Sequence, residues 1–385
     1  MGLRCEKSSQ QRDCSGLSPD SLLTPKEHTY TSLHAKKHAL WSTKSFAKIR
    51  IKNKQLKNNL YLCKTKPWNL QTISIVKKKY TTLIVGILSL CVLLASGCEK
   101  EPVQGSSSVA GVLGGLFSIN DEGGQVRFSR GNLQYQASTG TWRFAEHQWD
   151  HVGNATNGNV FVGSVKCNNA NISSTYAGWI DLFGWGTSGW SSGAVCYQPW
   201  ATSTSNPEYY PGGSRNNGLT GDYAEADWAW HNAIGNGGGK PHQWRVLTSN
   251  EWKYLLNTRA TTSKIRYAKA TVNDVAGVVL LPDDWSKSYY TLNSTNNINA
   301  SFTTNTIDAG TWTNKLEVYG AVFLPSVGCR RGTYVSYTGY GGYWSSTPNG
   351  KYNAYHLDFD AYGLYATNRS YRSNGLAVRP VRDIN

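Results

Sequence analysis

The stretch from Gly341 to Arg382 constrains the fold of this chain most strongly, because its apolar residues recur with a period of two. Residues 355–360 read YHLDFD, so Tyr355, Leu357 and Phe359 alternate with polar residues. Successive side chains of a strand point to opposite faces. The alternation therefore predicts strands with one buried face and one polar face.

The polar positions of this stretch are rich in tyrosine, asparagine and serine. Tyrosine supplies a large contact area at low entropic cost, and serine and asparagine supply adaptable hydrogen bonds. We therefore predict that the apolar residues form a rigid frame and that the polar residues between them are displayed to bind a ligand. The alternative is an ordinary polar sheet face bordered by hydrated loops.

The formal charge of +15 is concentrated near the amino terminus. Residues 1–97 hold 17 of the 39 Lys and Arg residues and 4 of the 24 Asp and Glu residues, which leaves 22 basic and 20 acidic residues for the rest. This near balance argues against a nucleic-acid partner for the folded part. The chain from Cys98 onward holds 13 of the 15 tryptophans and is long enough for one large domain with a real core.

Targeting signals occupy the first quarter of the chain. Residues 1–75 are basic and lack sustained periodicity, and we interpret them as a mis-called extension upstream of a start at Val76, the alternative being a disordered arm. Residues 76–97 predict a lipoprotein signal peptide, with a positive region at 77–79 and an apolar region at 83–95 that is too short to span a bilayer comfortably.

Small residues lead into Cys98, so we expect cleavage before Cys98 and attachment of lipid to its sulfur. The alternative is a secretory signal cleaved nearby, with Cys98 an ordinary thiol. Residues 98–113 are rich in Gly and Ser and predict a flexible tether between this anchor and the domain at 114–385.

Short strands and few helices are expected in residues 114–385, which predicts an α+β domain of mixed antiparallel sheets with long irregular loops. Strand patterns occur at 125–129, 132–136, 142–144, 275–281 and 321–324. Residues 153–174 predict a loop, and residues 180–190 predict packed irregular structure. Cys167 and Cys196 flank this segment, and the sequence leaves open whether they pair or remain thiols.

The clearest helix pattern lies in WRVLTSNEWKYLLNTR, residues 244–259. Thr248 and Glu251 have the spacing of a capping box, in which each side chain bonds the backbone amide of the other residue. Trp252, Leu255 and Leu256 then form the buried stripe. A second, shorter helix is expected at 313–319.

Motifs that carry chemistry are missing from the sequence. Residues 235–240 fail as a phosphate loop, and no zinc spacing and no GxSxG motif occur. Asp358 and Asp360 share a strand face, but two oxygen donors fall short of the six to eight that Ca²⁺ takes. His151, His231 and His242 are isolated in sequence. We therefore predict no cofactor, no metal and no enzymatic activity.

Three segments together resemble a known group: WRVLTSNEW at 244–252, GYWSS at 342–346 and GLAVRPVR at 375–382. They are similar to elements of formylglycine-generating-enzyme-like domains, which have a C-type-lectin-like fold. The similarity extends to surface lipoproteins of gut Bacteroidetes and to the fibrobacter major paralogous domain, and it covers residues 114–383. It implies a compact mixed sheet with flanking helices and a large irregular loop region.

The resemblance also implies where ligand-binding residues lie. Some members are targets of diversity-generating retroelements, in which copying errors at adenines scatter Asn codons into Tyr, Ser, Asp, His and Gly near the carboxy terminus. A paralogue that is not diversified would look similar. The matching positions, expected to bind the ligand, are Tyr334, Tyr337, Tyr340, Tyr352, His356, Asp358, Asp360, Tyr362, Tyr365, Asn368, Ser370 and Tyr371.

Location, partner and activity follow from the same resemblance. Residues 99–101, EKE, resemble the export tag of Bacteroidetes surface lipoproteins, which implies a lipid-anchored protein of the outer membrane and cell surface. The expected partner is a protein or a glycan, and a carbohydrate-binding module is the first alternative. An oxidase of the formylglycine-generating type is disfavoured, because that chemistry uses a pair of reactive cysteines and Cys329 is the only cysteine after Cys196.

Overall fold

Short strands joined by long loops make up most of the described chain, as the sequence predicts. The computed structural model describes residues 110–152, 160–162, 165–336 and 339–384. Four expectations lie outside these residues: the extension at 1–75, the signal peptide at 76–97, lipidation of Cys98, and most of the tether. Tyr337 is outside them as well. The described residues belong to one compact unit.

The strands are numbered in chain order: β1 (Phe117–Ser118), β2 (Gln125–Phe128), β3 (Leu133–Gln136), β4 (Thr141–Phe144), β5 (Val160–Val162), β6 (Val165–Cys167), β7 (Tyr267–Val272), β8 (Val275–Leu280), β9 (Thr306–Ile307), β10 (Val322–Pro325), β11 (Cys329–Arg331), β12 (Tyr334–Ser336), β13 (Gly341–Asn349), β14 (Asn353–Phe359), β15 (Leu364–Tyr371), β16 (Asn374–Gly375) and β17 (Val381–Ile384). The hairpin of β5 with β6 corrects the expectation of a loop over 153–174.

The helices are short. The α-helices are α1 (Trp228–His231), α2 (Ser249–Lys253) and α3 (Ala309–Thr311). A π-helical turn over Tyr254–Thr258 extends α2, and α3 continues through a π-helical turn over Trp312–Leu316 and a 3-10 turn over Glu317–Tyr319. Further 3-10 turns lie at Asn206–Tyr209, Pro211–Gly213, Gly221–Ala226, Gly235–Gly237 and Phe302–Thr304. No helix of the described residues is long and apolar enough to cross a bilayer.

The capping box predicted for α2 is confirmed. The hydroxyl of Thr248 accepts from the backbone N–H of Glu251 at 3.2 Å, and the Glu251 carboxylate accepts from the N–H of Thr248 at 2.6 Å. The helical turns end before Arg259, whose buried guanidinium donates to the Leu255 carbonyl and to the Asp283 carboxylate. The cation therefore satisfies both the negative end of the helix and a distant carboxylate.

Six sheets form among the described residues, with strand orders β1-β2-β17, β3-β4, β5-β6, β10-β8-β7-β9, β12-β11-β16 and β13-β14-β15. Every pair is antiparallel except β7 with β9. These mixed sheets with few helices confirm the α+β class. The pairing of β2 with β17 joins the two ends of the domain.

Tryptophans fill much of the interior. Trp185, Trp228, Trp244 and Trp344 share one hydrophobic cluster that backs β3 and β4. Trp252 of α2 belongs to a second cluster, which includes Leu357 of β14 and Leu364 of β15. The second cluster thus packs α2 against the β13-β14-β15 sheet, which together with its two turns carries most of the predicted ligand-binding residues.

Candidate functional site

The predicted ligand-binding residues separate into three levels of exposure. The exposed ones are all tyrosines: Tyr334, Tyr352, Tyr362 and Tyr365. The partly exposed ones are Tyr340, Asp360, Asn368 and Tyr371. The buried ones are His356, Asp358 and Ser370.

The burial of three polar residues corrects the expectation that the whole polar side of the strands is displayed. The side chain of His356 is 2% exposed and that of Asp358 is 5% exposed. The Trp344 and His356 rings pack edge to face at a centroid distance of 5.9 Å. The segment before β13 folds back over the same side, because a Cβ atom on Gly342 would lie only 3.0 Å from Cε1 of Tyr340. Both sides of β14 are therefore covered.

The strand register places four side chains on the same side of the sheet. His356 of β14 lies opposite Asn368 of β15, and Asp358 lies opposite Tyr365. Directly opposed residues on neighbouring strands point to the same side. We call His356, Asp358, Tyr365 and Asn368, together with Tyr340 packed over them, the polar face.

Hydrogen bonds join the members of the polar face. The Tyr340 hydroxyl and Nε2 of His356 are 3.0 Å apart, with the donor set by the imidazole tautomer. Asn368 donates its side-chain amide to Oδ2 of Asp358 at 2.9 Å, and that oxygen lies 3.9 Å from Nε2 of His356. A buried polar group is costly unless it is bonded, so this arrangement favours one set of side-chain positions.

Electrostatics keep the imidazole of the polar face neutral. Burial lowers the pKa of His356 to about 3, since the low-dielectric surroundings disfavour the charged form. A neutral imidazole has one donor and one acceptor nitrogen, and it acts here as a hydrogen-bonding support rather than as a cation. The polar face thus consists of buried, hydrogen-bonded side chains, with Tyr365 at its exposed edge. Tyr365 is 49% exposed.

The turn after β14 presents a second tyrosine beside the polar face. Oδ1 of Asp360 accepts from the backbone N–H groups of Tyr362 and Gly363 at 2.7 and 2.8 Å. The ammonium group of Lys269, in β7, donates to the Asp360 carbonyl at 2.8 Å. Asp360 therefore shapes the turn, while Tyr362 at its tip is 71% exposed.

The remaining predicted residues lie elsewhere. Tyr371 lies opposite Asn353, at the far end of β14 from Tyr365, and Tyr352 belongs to the turn at that end. The distance along β14 from Asn353 to Asp358 is roughly 17 Å at the usual strand rise. Ser370 is buried and accepts from the Asn374 side-chain amide at 2.9 Å. Tyr334 lies on β12, in another sheet.

Two residues that contact these turns were not predicted. Lys269 is fully buried in β7, and Arg372 is fully buried directly after β15. A lysine in the strand Tyr267–Val272, whose other side chains are mostly apolar, is a signal in the sequence that could have indicated Lys269. No local pattern distinguishes Arg372, because its burial depends on rings from distant segments.

Cys167 and Cys196 each have their own local contacts. Cys167 and Cys196 are not joined to each other: the Cys167 sulfur accepts from the Trp179 N–H, and the Cys196 thiol contacts the Glu208 carboxylate. Cys329 is buried in β11. No group of three His, Cys, Asp or Glu side chains within the described ranges is placed to hold a metal ion.

One comparison with known proteins matches the part of the chain that contains the site. A family model described as a domain of unknown function (DUF8237) matches residues 243–381, from just before α2 to the start of β17. No curated protein and no solved structure matches the chain. The matched region contains the polar face and both turns of the β13-β14-β15 sheet.

Proposed function

We propose that this chain is a lipid-anchored protein of the outer membrane and cell surface that binds a protein or glycan ligand through the polar face. Its domain at 114–385 would have a C-type-lectin-like fold, and it would bind its ligand without making or breaking a bond. The motifs at 244–252, 342–346 and 375–382 support the fold, and the signal before Cys98 supports the anchor.

One observation carries the binding proposal: Tyr365 is half exposed and lies opposite Asp358, which is buried and hydrogen-bonded. Its strand is fixed by pairing with β14, and Tyr362 lies nearby on a turn fixed by Asp360. Binding then requires little ordering of the surface, which lowers its entropic cost. A central tyrosine of this kind contributes about 1–3 kcal/mol to binding when it is a hot spot.

Burial narrows the positions at which a retroelement could diversify the site. Under this proposal Tyr362 and Tyr365 vary freely, because their side chains extend into solvent. His356 and Asp358 vary under constraint, because each supports a buried hydrogen bond. Sequencing the locus in many isolates tests this: substitutions should concentrate at the exposed pair. An even spread over all four positions would argue against the polar face as the variable surface.

Binding is tested with the full chain and two matched variants. The double variant Tyr362→Ser/Tyr365→Ser removes both exposed rings beside the polar face. Tyr352→Ser removes another exposed tyrosine, 41% exposed, at the opposite end of the sheet. Each protein is used for capture from cell-surface extracts and on a glycan array.

We expect the double variant to lose the captured ligand and Tyr352→Ser to retain it. Capture of a protein would identify a protein ligand, and array binding would support a carbohydrate-binding module. Equal binding by the wild type and the double variant would reject the polar face as the site.

The anchor is tested separately by Cys98→Ala. Lipidation predicts that the wild-type protein incorporates a labelled fatty acid and sediments with outer membranes, whereas the variant does neither. Mass spectrometry of the wild-type protein checks the start at Val76, since any native peptide from residues 1–75 contradicts it.

A further inference from the structure

A cluster of positive charge lies at the turn between β13 and β14, away from the polar face. Lys351 is in this turn, and the Tyr210 hydroxyl donates to its backbone carbonyl. Arg372 follows β15 and donates its backbone N–H to the Tyr352 carbonyl at 3.0 Å. The guanidinium of Arg372 donates to the carbonyl of Arg215 at 2.5 Å. We call Arg215, Lys351 and Arg372 the basic corner.

Arg372 forms the buried floor of the basic corner. Its guanidinium lies between two aromatic rings, 4.5 Å from the centroid of Trp185 and 4.8 Å from that of Tyr210. Its Nε donates to the Asn353 carbonyl at 3.1 Å, but Nη1 has no hydrogen-bond partner among the residues described. The ring faces offset part of the desolvation cost, yet one donor of a fully buried cation is left without an oxygen.

The other two charges lie at the surface above Arg372. Arg215 and Lys351 are exposed, and backbone contacts bring both to Arg372: the Arg215 carbonyl accepts from the Arg372 guanidinium, and the carbonyl of Tyr352, next to Lys351, accepts from the Arg372 N–H. None of the three residues forms an ion pair with a carboxylate in the described part of the chain. Arg245 and Arg259, by contrast, both do. Three cations without a carboxylate partner, from three segments of the chain, give a positive potential at this corner, where the Lys351 ammonium lies 5.0 Å from the centroid of the Tyr352 ring.

We propose that the basic corner binds a tetrahedral oxyanion, a sulfate or phosphate group. The fork of the Arg215 guanidinium and the ammonium of Lys351 supply donors at the surface, as such groups do at oxyanion sites. The charge of Arg372 strengthens the attraction from below. The site is distinct from the polar face, because the two lie at opposite ends of β14.

The test is calorimetric titration of the full chain with three probes: inorganic sulfate, inorganic phosphate and a sulfated monosaccharide. Arg215→Ala and Lys351→Ala remove the surface cations without touching the buried arginine. Lys287→Ala removes an exposed lysine elsewhere and serves as the control. Circular dichroism checks that every variant is folded.

We expect saturable binding of at least one probe and a loss of roughly tenfold or more in affinity for each corner variant, since a charge-assisted hydrogen bond is removed. The control should stay within about twofold of the wild type. Tighter binding of the sulfated sugar than of inorganic sulfate would identify a glycan-borne anion, whereas equal binding would identify a free one.

Two results would overturn the proposal: no saturable binding of any probe by the wild type, or equal affinities in the wild type and both corner variants. The corner variants should still capture whatever ligand the polar face binds. Failure of the polar face is therefore distinguishable from failure of the basic corner.

Discussion

The two sides of the β13-β14-β15 sheet are both covered, but by different means. On one side, Leu357, Phe359 and Leu364 pack into the hydrophobic cluster that contains Trp252 of α2. On the other side, His356 and Asp358 are also buried, and Nε2 of His356 and Oδ2 of Asp358 take part in hydrogen bonds to Tyr340 and Asn368. Alternation in a strand therefore separates apolar from polar side chains, and it does not by itself separate buried from exposed ones. Exposed side chains appear in β15, at Tyr365, Thr367 and Arg369, and at the turns.

The largest effect is expected on the apolar side. Leu357→Ala removes a fully buried side chain from the cluster beneath α2 and should lower the free energy of unfolding by about 2–5 kcal/mol. Urea unfolding measures the change. A loss under about 1 kcal/mol would mean that this side is loosely packed and that the contrast between the two sides is weaker than the structure shows.

Acidification should destabilise the polar side selectively. The pKa of His356 is lowered to about 3 in the folded state, below the 6.5 of an unperturbed histidine, so unfolding takes up a proton over this range. The stability that neutral His356 contributes to the folded state is fully present above pH 6.5 and is lost as pH falls from about 6.5 toward 3. The free energy of unfolding of the wild type should therefore fall, relative to that of His356→Gln, across this interval.

The comparison with His356→Gln is needed because two other buried groups titrate in the opposite sense. Burial raises the pKa of Asp181 and of Asp227 to about 6. Their contribution to the free energy of unfolding is therefore greatest below pH 3.8 and is lost as pH rises through 6. Both carboxyls are present in the wild type and in His356→Gln, so their effects cancel when the two free energies of unfolding are subtracted. Parallel curves for the two proteins would show that His356 is not held neutral by burial.

A smaller loss of stability is expected when the hydrogen bond between Tyr340 and His356 is removed. Tyr340→Phe removes only the hydroxyl that bonds His356 and should cost about 0.5–1.5 kcal/mol of stability. In the His356→Gln background the same change should cost less, because the pair is coupled. Thermal unfolding of the four proteins gives the coupling, and additive losses would contradict a shared network.

The smallest change in stability is expected at Tyr365, the exposed edge of the polar face. Tyr365→Ser alters a half-exposed side chain and should shift the free energy of unfolding by no more than about 0.5 kcal/mol. The same substitution should weaken ligand binding, so stability and binding separate at this position. A large stability loss would mean that Tyr365 supports the fold instead of a ligand.

The local elements can be predicted from neighbouring residues alone. Thr248 and Glu251 identify the start of α2, because a capping box involves groups only three residues apart. The apolar run that forms β8, ended by Pro282, and the short helical segment of α3 before Tyr319 are likewise read from neighbouring residues. The α+β class follows from adding such elements together.

Which polar residues are exposed depends on packing between segments that are distant in the chain. Trp344 and Tyr340 cover His356, and distant rings enclose Arg372, so burial at these positions depends on segments that the strand's own alternation does not encode. The pairing of β2 with β17 is equally non-local, since it joins residues more than two hundred positions apart. Local patterns record a side chain's polarity, whereas exposure depends on what the rest of the chain places over it.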